Sequence, residues 1–260
     1  MRTMEPGRML FAVGMIGLGV ISLFSADFAS GWEPVPRGLP LRGILACCSG
    51  LLLFAGGAGL LTKRWAAISA GVLSVFLLFW LLVLHGIEVA VAPLEEGNWE
   101  ISGETAVLTA GAWVLFASLA EPPRGLEFSA GAKGLRAARL LFGLGLLPIG
   151  LSHFVYIRES VQYVPTWLPD PAAWVYFTGA CHAAAGFALI FRVLPRLAAS
   201  LEASMLLIIT LLVNVPGVMA APQNGSGWTW LFADLTLAAS AWLVAGSYRG
   251  TGWLAIRPLR

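Results

Sequence analysis

Residues 65–89 read WAAISAGVLSVFLLFWLLVLHGIEV, an apolar run that follows Lys63 and Arg64 and holds only His85 and Glu88 as ionisable residues, both near its end. Crossing a hydrocarbon core about 30 Å thick takes roughly 20 apolar residues in a helix. Backbone polar groups find no water in lipid, so such a run is expected to be a helix that satisfies its own hydrogen bonds. Seven more runs of the same kind flank it: Met9 to Phe28, Leu41 to Leu61, Gly103 to Leu119, Leu135 to Tyr156, Pro171 to Phe191, Leu197 to Met219 and Trp228 to Ser247.

Composition agrees with these runs. Of 260 residues, 58% are hydrophobic and 12% charged, from 16 Lys+Arg and 14 Asp+Glu. A soluble domain carries about twice that charge fraction, so an ordinary cytosolic enzyme, a nucleic-acid binder and a disordered chain are all excluded. The expected fold class is all-α, a polytopic membrane protein of eight transmembrane helices. Cys47, Cys48 and Cys181 form no C-x-x-C pair and no disulfide framework.

Charge sets the expected orientation. With a cytoplasmic N-terminus, the inner segments hold Arg2, Arg8, Lys63, Arg64, Arg124, Lys133, Arg136, Arg139, Arg192, Arg196, Arg249, Arg257 and Arg260, which is 13 of the 16 cations. Only Arg37, Arg42 and Arg158 remain outside. The positive-inside bias places both termini in the cytoplasm and requires an even number of spans. A signal peptide is the alternative reading of the first run, because Arg2 and Arg8 precede it, but no small-x-small cleavage site follows.

Sliding the chain against itself brings out one offset, 129 residues. Val35-Pro-Arg-Gly-Leu-Pro40 falls on Val164-Pro-Thr-Trp-Leu-Pro169, Gly50 on Gly179, Gly57 on Gly186, Pro93 on Pro222, Trp99 on Trp228 and Trp113 on Trp242. Trp and Pro are rare enough for these coincidences to count. The expectation is two four-helix units, residues 1–128 and 129–260, joined at Glu121-Pro-Pro-Arg-Gly-Leu-Glu. Four spans per unit is an even number, so the two units form a parallel repeat about an axis along the membrane normal.

The stretches Gly150-Leu-Ser-His-Phe-Val-Tyr156, Val164-Pro-Thr-Trp-Leu-Pro-Asp-Pro171 and Val175-Tyr-Phe-Thr-Gly-Ala-Cys-His-Ala-Ala-Ala-Gly186 resemble the DoxX-like family of four-helix bacterial membrane proteins. The resemblance covers about 50 residues strongly and the second half plausibly. The first half reads as a diverged copy, with Phe24 where His153 sits and Leu53 where His182 sits. What the resemblance implies is a bacterial inner-membrane protein, either the membrane subunit of a quinone-linked oxidoreductase in sulfur metabolism or a partner in redox-stress complexes. A loose likeness to the vitamin K epoxide reductase bundle carries no chemistry here, because the C-x-x-C pair is missing.

Ionisable groups inside spans cost about 2.5 kcal/mol or more on insertion scales, which makes each one a functional candidate. His182 lies mid-span beside Cys181, Gly179 and Gly186, and is read either as a donor to a quinone carbonyl or proton relay, or as a neutral His bonded within the bundle. His153 and Tyr156 share a helix face near the outer end, followed by Arg158, Glu159, Tyr163 and Trp167. These suit an outer quinone pocket or an aromatic interface belt with a snorkelling Arg. Asn214 and Asp234 lie in the seventh and eighth runs, and Asp234 needs a cation or donor that His153 or His182 would supply. Glu95, Glu96, Glu100 and Glu104 read as an acidic outer loop, and Glu202 as a partner of Arg196 at the cytoplasmic edge. No H-x-x-x-H or H-x-x-E-H spacing supports a metal site.

Three functional readings follow. The first is a quinone-linked membrane subunit or accessory of an oxidoreductase. In it His182, His153 and Asp234 handle protons, Tyr156, Arg158, Tyr163, Trp167, Cys181 and Asn214 line the pocket, and a soluble or membrane redox partner supplies the cofactor. The others are a scaffold without catalysis and a small-solute transporter. Against transport stands the lack of broken helices at matching depths beyond Pro216-Gly217.

Overall fold

The computed structural model describes residues 4–29, 32–121 and 128–256. Arg2, Arg124, Arg257 and Arg260, and residues 122–127 of the linker, lie outside the described residues. Eight helices are long and apolar enough to cross a membrane: α1 (Glu5–Ser25), α2 (Arg42–Leu60), α3 (Ala66–Val91), α4 (Glu96–Leu119), α5 (Gly131–Val155), α6 (Pro171–Phe191), α7 (Pro195–Ala220) and α8 (Gly225–Ser247). The largest departure from expectation is α4, which begins at Glu96 and not at Gly103. Its acids interrupt the apolar run but do not interrupt the helix, since Glu is a good helix former and suits a first turn. Side chains fix other starts: Asp170 accepts from Ala173 N–H at 3.2 Å ahead of α6, and Asn224 from Ser226 N–H at 3.1 Å ahead of α8.

Neighbouring helices run antiparallel and meet through small residues. A Cβ on Gly57 would lie 2.8 Å from Ala12 O, and one on Gly50 2.9 Å from Gly19 O, so α1 and α2 touch backbone to backbone. Helices α5 and α6 do the same, with a Cβ on Gly150 falling 2.8 Å from Gly179 O. The two halves join along two seams. Helix α4 packs on α5 through Gly103 and Gly145, while α8 packs on α1 with the Phe232 ring over Gly17.

Between the seams α4 and α8 lie side by side, and Gly111 of one meets Ser240 of the other, positions 129 residues apart. One core draws on every helix, including Phe11, Met15, Leu53, Leu73, Leu108, Phe142, Leu189, Leu206 and Leu243. Helix α4 is the most buried, with 67% of its apolar window inside, and α7 the least, with 22%. The outer flanks expose Val75, Leu82, Ile208 and Leu211. A water-facing surface would carry far more charge.

Two features recur at the 129-residue offset. Helices α3 and α7 each contain a π-helical stretch, Trp80–His85 and Thr210–Asn214. The Trp99 indole N–H donates to Pro93 O at 3.0 Å, and the Trp228 indole N–H to Pro222 O at 2.9 Å. The matched interruptions differ from the expectation of none at matching depth. Pro216 is not their common cause, because Ile87 stands at the corresponding place in α3.

At the end where α1, α3, α5 and α7 begin, arginines secure the chain after α8. Arg139 binds Ser247 and stacks on Tyr248 at 3.9 Å, while Arg196 stacks on Trp253 at 4.1 Å and donates to Thr251 O at 3.3 Å. We call this end proximal and the opposite end distal.

Candidate functional site

The bundle interior holds one buried ion pair. His182 on α6 and Glu202 on α7 are each 2% exposed, and His182 Nδ1–H donates to Glu202 Oε1 at 2.6 Å. This corrects the expected Glu202–Arg196 pair, since Arg196 turns away to Thr251 and Trp253. Glu202 lies two turns inside α7, too deep for the proximal edge. The His153 ring sits 5.2 Å from that of His182, and its Nδ1–H donates to Ile149 O at 2.9 Å. With both Nδ1 atoms engaged, each imidazole keeps Nε2 to accept a hydrogen bond or a proton. The small residues beside His182 do not leave room for a ligand. A Cβ on Gly179 would fall 2.6 Å from the His153 Cβ, so the glycine makes space for the second histidine.

A second polar pair lies between α7 and α8. Asn214 Nδ2–H donates to Asp234 Oδ2 at 2.5 Å, so the amide, and not a histidine, is the donor that Asp234 needs. His182 is still within electrostatic reach of Asp234. The matching rung in the first half pairs His85 Nε2 with Thr105 Oγ1 at 3.0 Å. In both rungs the π-helical stretch ends on the residue that reaches across, His85 or Asn214. Such insertions commonly re-aim a side chain at a functional site.

The acids expected to form a loop belong instead to the distal part of α4. Glu96, Glu100 and Glu104 fall at i, i+4 and i+8 and so share one helix face. The Ser152 hydroxyl of α5 donates to Glu100 Oε1 at 2.7 Å, and Tyr156 OH accepts from Gly97 N–H at 2.9 Å. Glu104 is within electrostatic reach of both Glu100 and Asp234. Among the described residues, both carboxylate oxygens of Glu96 and Oε2 of Glu104 and Glu202 are buried without a hydrogen-bond partner. The polar interior therefore stands where α4 of the first half meets α5, α6 and α8 of the second.

The remaining expected residues are spread out. Tyr163 and Trp167 are 65% and 68% exposed, and Arg158 is exposed as well. Tyr156 is held by α4, and Cys181 is a free thiol within electrostatic reach of Glu202. No three His, Cys, Asp or Glu side chains among the described residues come together as metal ligands would. One buried acid went unnoticed in the sequence. Glu33, before α2, accepts from Ala29 N–H at 2.7 Å and from the Ser49 hydroxyl at 2.8 Å, with the Ser22 hydroxyl at 3.4 Å. Burial pushes its carboxyl above the ordinary range, against the pull of these donors and of Arg42.

A family model described as a domain of unknown function (DUF8561) matches residues 142–250, the stretch that carries His153, His182, Glu202, Asn214 and Asp234. No curated protein matches the chain, and no solved structure does.

Proposed function

We propose that the chain is a multi-pass membrane protein, a duplicated DoxX-like pair of four-helix units, that serves as a quinone-linked membrane subunit or accessory of an oxidoreductase. The apolar flanks and eight long helices support insertion. Recurrence of the π stretches and of the Trp–Pro bonds at one offset supports a parallel repeat. Arg8, Lys63, Arg64, Lys133, Arg136, Arg139, Arg192, Arg196 and Arg249 lie toward the proximal end, and only Arg37, Arg42 and Arg158 toward the distal end, which supports both termini in the cytoplasm of a bacterial inner membrane.

The observation that carries the functional reading is the His182–Glu202 pair with His153 beside it. Quinone reduction takes two electrons and two protons per ring. A redox partner subunit supplies the electrons, and the imidazoles hydrogen-bond the ring oxygens and pass the protons, with Glu202 fixing the His182 tautomer. Asp234, oriented by Asn214, completes the protonatable set. The test is quinone that co-purifies with the extracted protein, followed by absorbance and mass spectrometry, together with quinol oxidation. Bound quinone in the parent and its loss in His182→Ala/His153→Ala is the expected result. A parent without quinone, combined with an unchanged turnover in the variant, overturns the reading.

The matched π stretches in α3 and α7 favour a second reading, transport of a small solute coupled to protons, because paired irregular helices line transporter sites. Solute flux in proteoliposomes without quinone binding would select it.

A further inference from the structure

The acid face of α4 plays no part in binding a ring at His182, yet it occupies the most buried helix of the bundle. Successive carboxylates at i, i+4 and i+8 are about 6 Å apart along the axis. That is too far for a direct hydrogen bond and suits a water between each pair. Glu104 is therefore about 12 Å from the distal start of α4. From there the next groups are Asp234 and then His182, each within electrostatic reach of the one before. The acids do not converge as ligands of a metal ion would. Their arrangement is a series.

A second observation lies at the inner terminus of this series. Glu202 is 2% exposed, its Oε1 is taken by His182, and its Oε2 has no hydrogen-bond partner among the described residues. A buried oxygen of this kind calls for water or a proton. Toward the proximal end the way is shut. Ala199 and Ala203 are buried around Glu202, and Arg196 is tied to Thr251 and Trp253.

We propose that Glu96, Glu100, Glu104 and Asp234 form a proton-access path that joins the distal surface to the His182–Glu202 pair and stops there. The path connects the buried pair to one side of the membrane only. Protons that the pair takes up or releases are exchanged with the non-cytoplasmic side. The titratable groups facing the pair are His153 from α5, Cys181 on α6 itself and Asp234 from α8, with Glu100 and Glu104 of α4 behind Asp234. The proposal rests on the membrane placement given above and not on quinone.

The test uses the full chain in sealed vesicles without quinone, with the pH stepped on one side at a time. Time-resolved infrared spectroscopy follows the carboxyl bands of Glu202 and Asp234, assigned by their loss in Glu202→Gln and Asp234→Asn. In the parent both bands follow a step on the distal side and lag a proximal one. Glu104→Gln and Glu100→Gln, each close to isosteric and checked for fold by circular dichroism, slow the distal response of Glu202 by roughly a hundredfold. Glu95→Gln, at the exposed cap of α4, leaves it unchanged. Bands that follow the proximal side, ignore both sides, or respond equally fast in the two variants overturn the path. A chain that binds no quinone leaves the measurement as readable as before.

Discussion

The two halves of the bundle place similar backbones around very different interiors. At three positions where the second half has His153, His182 and Glu202, the first half has Phe24, Leu53 and Leu73, each 129 residues earlier. Leu53 and Leu73 are fully buried core residues, and Phe24 points outward with 89% of its surface exposed. The fold thus tolerates plain hydrocarbon where the second half maintains a buried ion pair. Packing does not require the pair, and its desolvation is costly, so its presence points to chemistry.

Breaking the pair on one side is expected to have the largest effect. Glu202→Leu strands His182 and should cost about 3–5 kcal/mol, whereas His182→Leu/Glu202→Leu copies the first half and should return stability to the parent value or above. Unfolding in mixed micelles, followed by circular dichroism, reads both. A double variant no more stable than the single one would mean that the halves are not interchangeable frameworks.

The seams provide the next contrast. A Cβ on Gly103 would lie 2.5 Å from Gly145 O, while the other seam cushions the contact with the Phe232 ring over Gly17. Gly103→Ala should therefore cost about 1–3 kcal/mol through forced separation of α4 and α5. It should also disturb the acid face of α4, which thermal unfolding alone would miss and the infrared bands would report.

On the polar rungs, Asn214→Ala leaves Asp234 without its amide donor and should cost about 1–3 kcal/mol, while Thr105→Val in the first half removes a bond between neutral groups and should cost less. Equal losses would deny the second rung its special character.

The smallest expected effect is a pH dependence confined to the first half. The native carboxyl of Glu33 titrates above its unfolded value, so the native state holds its proton more tightly. The stabilising contribution is complete below the ordinary Glu range, near about 4.3, and is lost as pH rises through the raised native value. The parent should gain stability relative to Glu33→Gln as pH falls from neutral. A constant difference between the two proteins across that window would contradict the assignment.

The span count and the 129-residue offset are legible because apolar length and rare Trp and Pro residues carry them. The His182–Glu202 pair is not, because Glu202 lies two turns inside α7 and local spacing offers Arg196 as the simpler partner. The acid face of α4 is hidden for a related reason. Hydropathy starts the helix at Gly103, the first residue clear of the acids, although Glu is well suited to a helix. With that start moved to Glu96, the i, i+4, i+8 pattern stands out in the sequence itself. Glu33 has no such signal, because only the fold brings Ser22, Ser49 and Ala29 around it.

The central claim is that the second half carries the chemistry and the first half only the frame. Quinol oxidation and retained quinone should be measured side by side in His182→Leu/Glu202→Leu and in His85→Leu/Thr105→Val, with both variants folded. The account predicts loss of both signals in the first variant and near-parent values in the second. Equal loss in the two variants, or a parent-like His182→Leu/Glu202→Leu, would contradict it.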